Sequence, residues 1–307
     1  MGWGGRAGRL LLVLLAVHGG TTAAAAGLCP PAAAPPTAPL VLRSGLAGSL
    51  DGAPNAYHRA NADLGRDEGL AHICYAVNIL VRRGDRLVNR YPKDILDDLP
   101  TRTRCKAEYV ALRDAGFPDC ASGRCLRILR LAATPRSCDR PIEGTGPGIR
   151  QDCGLPALQV DRADAPNGFY VSATALSAGP ADRQGSHLDA RFIPYIALPP
   201  ETGRPQGAAL GDLALVVWQG RASFAVWGNV AEAGEASVAT LLRLRGAERL
   251  DDPRRRARDL GIGPEAPATT ILLPGTCGLF EGTLPRTPGA VLAAGRQAAD
   301  RFGGVDA

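Results

Sequence analysis

Residues Arg221 to Leu244, RASFAVWGNVAEAGEASVATLLRL, join an alternating apolar segment to an amphipathic one through a short polar turn, and that junction decides the fold. In the first part Phe224 and Val226 point one way while Ala225 and Trp227 point the other, the period of two that a strand requires. The strand is expected to end at Gly228-Asn229. Gly234-Glu235-Ala236-Ser237 then opens a helix whose apolar positions, Val238, Leu241 and Leu242, recur at helical spacing, with Gly246 as its stop. Glu235 is thereby expected in or just before the first helical turn, where a carboxylate complements the free amides and the dipole.

Working outward, short strands dominate from Val160 onward: Phe169 to Ala173, Phe192 to Leu198, Leu213 to Trp218, Ser223 to Val230 and Ala268 to Leu273. Trp218-Gln219-Gly220-Arg221 reads as a hairpin connection. Helices are expected at Glu235 to Arg245 and at Pro288 to Phe302, the second closed by Gly303-Gly304. Many strands with few helices predict an α+β, β-rich domain: a curved sheet or barrel-like core with a few packed helices. Upstream, HICYAVNILVRRGDRLVNRYP (His72 to Pro92) looks like paired strands around Arg83-Gly84-Asp85, a turn rather than an adhesion signal.

Residues 1–26 read as a secretory signal peptide, with Arg6 and Arg9 ahead of the apolar run Leu10 to Val17 and an Ala-rich cleavage region. That run is too short to span a membrane, and no later segment is long enough either. Residues 27–46 are Pro- and Ala-rich and read as a linker, leaving 47–304 as the main domain. The chain is therefore expected to be secreted or periplasmic. Its eight cysteines suit an oxidising compartment, and five of them, Cys105, Cys120, Cys125, Cys138 and Cys153, crowd the segment 91–153. No CxxC pair occurs and no histidine lies between Lys106 and Gly185, so these read as staples of an insertion rather than metal ligands. No metal and no cofactor are expected. The net charge of +5 is mild, and the arginines of Pro253 to Arg258 sit beside Asp251, Asp252 and Asp259, which argues against a nucleic-acid partner.

The pattern WG-N-(short loop)-GEAS resembles the fungal-type chitosanases, an inverting glycoside hydrolase family in which a strand reading WGD is followed by a short loop and GEAS or GEGS. The resemblance extends to SLDGAPNAYH (Ser49 to His58), GFYVSATAL (Gly168 to Leu176), LDARFIPYIALP (Leu188 to Pro199), GDLALVVWQGR (Gly211 to Arg221), ILLPGT (Ile271 to Thr276) and the closing helix. It covers most of the chain from about Gly48 to Gly304 except the cysteine-rich stretch. In that family the Asp of WGD and the Glu of GE form the catalytic pair. Glu235 matches the Glu; Asn229 stands where the family has the Asp, and an amide cannot accept a proton at neutral pH.

The resemblance implies hydrolysis of a β-1,4-linked amino-sugar polysaccharide, with an acid protonating the leaving oxygen and a base activating water from the opposite face. Glu235 is the expected acid. The base would come from Glu232, which can also raise the proton affinity of Glu235, or from Asp189. Trp227, Tyr57, Asp51 and Tyr195 are the candidate substrate-binding residues, although Asp51 in Asp51-Gly52 also reads as ordinary turn chemistry. Asp212, at a strand start, reads as a satisfier of turn amides. Three functions follow: an exported hydrolase of chitosan, chitin fragments or peptidoglycan glycan; a glycan-binding protein that lost catalysis at Asn229; or a cell-envelope interaction module working through the insertion. A mildly basic chain does not favour polycationic chitosan unless the groove itself is acidic.

Overall fold

The computed structural model describes residues 28–29, 38–58, 73–92, 95–96, 98–127, 158–163, 169–180, 183–199, 201–202, 207–231, 234–247 and 257–303 of the 307-residue chain. The expected signal peptide, Glu232, Cys138 and Cys153 lie outside the described residues. In chain order the elements are β1 (Leu40–Ser44), β2 (Ala47–Ser49), β3 (Tyr57–His58), α1 (Ile73–Ala76), β4 (Asn78–Arg83), β5 (Arg86–Asn89), α2 (Leu99–Asp114), β6 (Arg124–Arg127) and β7 (Phe169–Tyr170). They continue with β8 (Tyr195–Ala197), β9 (Leu213–Trp218), β10 (Arg221–Asn229), β11 (Glu235–Ser237), α3 (Val238–Leu244), β12 (Ala268–Leu273) and α4 (Pro288–Arg301).

The centre is a curled seven-stranded sheet in the order β1-β12-β9-β10-β8-β11-β2, so the fold is α+β and β-rich. The β9–β10 hairpin turns at Gln219 and Gly220, both with positive φ, the conformation that matches the twist of a two-residue hairpin. Its alternating residues serve two cores. Ala214, Val216, Ala225 and Trp227 join Ile196, Ala236 and the α3 residues Val238 and Leu241 on one face. Leu213, Val226, Tyr195 and Leu273 join the α4 residues Val291, Ala294 and Ala298 on the other. With both faces covered, a nine-residue strand such as β10 turns inward at nearly every position past Ser223.

Three sequence expectations change. The helix expected from Glu235 begins three residues later: Ser237 caps it by accepting from the Thr240 N–H, and Glu235 to Ser237 are strand β11, bonded to β8 and β2. The segment read as linker is strand from Leu40, because β1 pairs antiparallel with β12 along the sheet edge and Leu46 is buried. The cysteine-rich region, where described, is not a separately stapled lobe. Disulfides link Cys74 to Cys105, Cys120 to Cys125 and Cys29 to Cys277. The first fastens α1 to α2, whose Tyr109 and Leu112 enter the main core, and the Tyr109 hydroxyl shares a 2.9 Å hydrogen bond with that of Tyr170.

Candidate functional site

The register around β8 gathers the candidate residues. Ala197 pairs with Glu235 of β11 on one side and with Asn229 of β10 on the other, so all three side chains share a face with Tyr195. Strict alternation along β10 would have sent Asn229 to the opposite face, with Trp227. A register shift between Trp227 and Asn229 turns it over, as a β-bulge does. The shift centres on Gly228, where a Cβ would lie 2.4 Å from Leu188 Cδ1 and 3.0 Å from Tyr195 Cβ, so the strand bends where a side chain could not fit. Two strand intervals separate Glu235 from Asn229, about 10 Å between backbones. Small Ala197 lies between them.

Parallel pairing of β11 with β2 sets Ser237 beside Ser49, and the chain then turns at Asp51-Gly52 over this face. The Asn229 Nδ2 donates to Asp51 Oδ2 at 2.9 Å, and the Tyr57 hydroxyl donates to Asp51 Oδ1 at 2.9 Å. Asn229 is fixed from behind by the Ala175 N–H, which donates to its Oδ1 at 3.0 Å. The Tyr195 hydroxyl donates to the Asp51 carbonyl at 2.9 Å and accepts from the Ser49 hydroxyl at 3.0 Å.

Electrostatics tie Glu235 to the same cluster. Burial pushes the Tyr57 phenol well above its usual range, the charge and hydrogen bond of Asp51 push it further, and Tyr195 and Glu235 add to the effect. Tyr195 is raised likewise, first by burial and then by the charge of Asp51, with Glu235 again contributing. Both phenols are therefore donors that stay protonated, held against an acidic pair. Asn229 is 7% exposed, Tyr195 is fully buried, and Glu235 is half-buried.

The remaining candidates go elsewhere. Trp227, expected to bind substrate, is 1% exposed on the far face, where its indole N–H donates to the Asn229 carbonyl; it supports the site as core and offers no surface to a sugar. Asp189, expected as a base, is occupied by Arg191: Nε at 3.0 Å and one terminal nitrogen at 2.7 Å, with the Arg191 N–H also donating to Oδ1. Asp212 is structural, as read: its carboxylate accepts from the N–H groups of Ala209, Thr276 and Cys277, while burial raises its proton affinity.

Asp189 does line a cleft of about 320 Å³ together with Gly52, Gln159, Asp161, Gln184 and the exposed Phe192. Neither Glu235 nor Asn229 lines it, but Gly52 directly follows Asp51. Gln184 braces that turn, donating to Gly52 O at 2.8 Å and to Ser172 O at 2.8 Å. Gln159 and Gln184 carried no motif, and only their bonds to Pro54 O and Gly52 O, around the Asp51 turn, mark them. No family model matches the chain, and no curated protein matches it. Among the described residues there is no cluster of histidine, cysteine and carboxylates fit for a metal, and no helix is long and apolar enough to cross a membrane.

Proposed function

We propose that the chain is an extracytoplasmic glycoside hydrolase related to the chitosanases it resembles, acting on a β-1,4-linked amino-sugar polysaccharide with Glu235 as proton donor. In this reading Asp51 replaces the family's strand aspartate as the carboxylate that activates water, and Asn229 and Tyr57 orient it. The observation that carries the reading is the 2.9 Å bond from Asn229 to Asp51, which brings a carboxylate against the residue filling the family's base position. The phenols of Tyr57 and Tyr195 both respond to the charges of Asp51 and Glu235, which supports placing acid and base in one cluster, as an inverting mechanism needs. The three disulfides among the described residues support an oxidising compartment.

The second reading, a glycan-binding protein without turnover, is favoured by one observation: the residue nearest the family's base position is an amide, already bonded at both ends. Reducing-end release from partly acetylated chitosan, chitin oligomers and peptidoglycan separates the two. The hydrolase reading expects activity on at least one of them, lost about 10²- to 10⁴-fold in Glu235→Gln and in Asp51→Asn. Saccharide binding that depends on Glu235, without any turnover, selects the second reading. Turnover that survives both substitutions removes the site from this cluster altogether.

A further inference from the structure

The three-stranded sheet β5-β4-β6 carries a charged face that the proposed hydrolase does not use. Its register pairs Ile79 with Leu126, Val81 with both Val88 and Arg124, and Arg83 with Arg86. Cross-strand partners share a face, so Arg83, Arg86 and Arg124 project on one side. Arg90 continues that row, since its N–H bonds to Ile79 O at 2.9 Å as the next rung of the ladder. All four arginines are exposed.

The counter-charge on this side is small. Arg90 and Arg124 converge on one oxygen of Glu108, at 3.2 and 3.1 Å, and that carboxylate is itself nearly buried. Among the described residues no carboxylate pairs with Arg83 or Arg86, which face each other directly beside the turn residue Asp85. Like charges opposed across two strands destabilise the pairing, and an anion lying over them relieves the repulsion. From Arg86 to Arg90 the row runs about 13 Å, too long for a single small ion and suited to an extended chain.

We infer that this arginine face docks an acidic polysaccharide, a chain of carboxylate-bearing sugars lying along β5. Guanidinium groups match carboxylates with two parallel hydrogen bonds, which a row of them repeats. Nucleic acid is less well suited: Ile79 and Leu126 are buried in the core, only Val81 and Val88 are part-exposed between the arginines, and neither offers an aromatic platform for a base. A bilayer is less well suited too, because none of the exposed large apolar residues belongs to this sheet. The inference stands apart from hydrolysis at Glu235.

The test is calorimetric titration of the full chain with polygalacturonate oligosaccharides, beside Arg83→Glu. That variant replaces a like-charged pair with an opposite one, so its thermal midpoint should hold or rise, which keeps loss of folding out of the result. Wild-type binding should weaken at least about tenfold between about 50 mM and about 300 mM salt, and by a similar factor in the variant at low salt. A neutral dextran should not bind. Absence of wild-type binding, equal affinity in the folded variant, or equal or tighter binding of a single-stranded oligonucleotide or of anionic vesicles overturns the inference.

Discussion

Asn229→Asp tests the geometry of the site most directly, because it turns the amide that faces Asp51 into a second acid. The Oδ1 bond from Ala175 N–H survives the change, but the atom 2.9 Å from Asp51 Oδ2 becomes an oxygen. With charge centres about 4 Å apart and an effective dielectric of about 20, two ionised carboxylates there repel by about 4 kcal/mol. The pair relieves this by keeping one proton, so its upper titration moves well above the roughly pH 4 of free carboxyls. The folded variant then binds more protons than the unfolded chain across that window. Its stability is fullest below about pH 4 and falls as pH rises through the raised value. Denaturant unfolding of the wild type, Asn229→Asp and Asn229→Ala at several pH values reads this out. The alanine variant should lose about 1 to 3 kcal/mol without that pH dependence. An aspartate variant as stable as the wild type at neutral pH, with an unchanged pH profile, refutes the facing of position 229 and Asp51. If reducing-end release instead rises many-fold in that variant, the base was missing at 229 and Asp51 is not its replacement.

Two further outcomes follow from the same structure. Gly52 and Gly84 both have positive φ, +83° and +61°, but a Cβ on Gly52 would lie 1.6 Å from Leu188 O while Gly84 faces open space. Gly84→Ala should therefore cost about 1 to 2 kcal/mol for its backbone alone. Gly52→Ala should cost more than about 3 kcal/mol in denaturant unfolding and disturb Asp51, and equal costs would mean that the turn does not pack as described. For Asp161, burial raises the proton affinity, but the N–H bonds from Gly185 and Gln184 outweigh it and leave the carboxyl below its usual value. The stability it contributes is present above about pH 4 and is lost as pH falls through its lowered value, so Asp161→Asn should flatten the acid limb of the unfolding curve. An unchanged limb would count against those bonds.

How far the sequence was legible depended on the range of the interactions that shape each part. β9 and β12 occupy the expected residues, and α4 starts at the expected Pro288 behind its cap Thr287, because alternation, turn residues and caps act over a few positions. Glu235-Ala236-Ser237 reads locally as a helix start, because β11 is three residues long and exists only through bonds to β8 and β2. Position 229 stands out in the sequence only through a resemblance, and its orientation hangs on a bulge that a period of two does not contain. Asp51 looked like turn chemistry, and it is part of a turn. Its partnership with Asn229 spans 178 residues, beyond any local pattern.

That span bears on how the protein reaches its native state. The acidic pair rests on strand neighbours drawn from both ends of the chain, β2 against β11, and on a turn closed by a residue made much later. Loops of this size form slowly, and until they close the early strands have bare edges. A partly synthesised chain therefore has no site to protect, and its β1 and β2 segments need shielding from each other's copies until the last third of the polypeptide arrives.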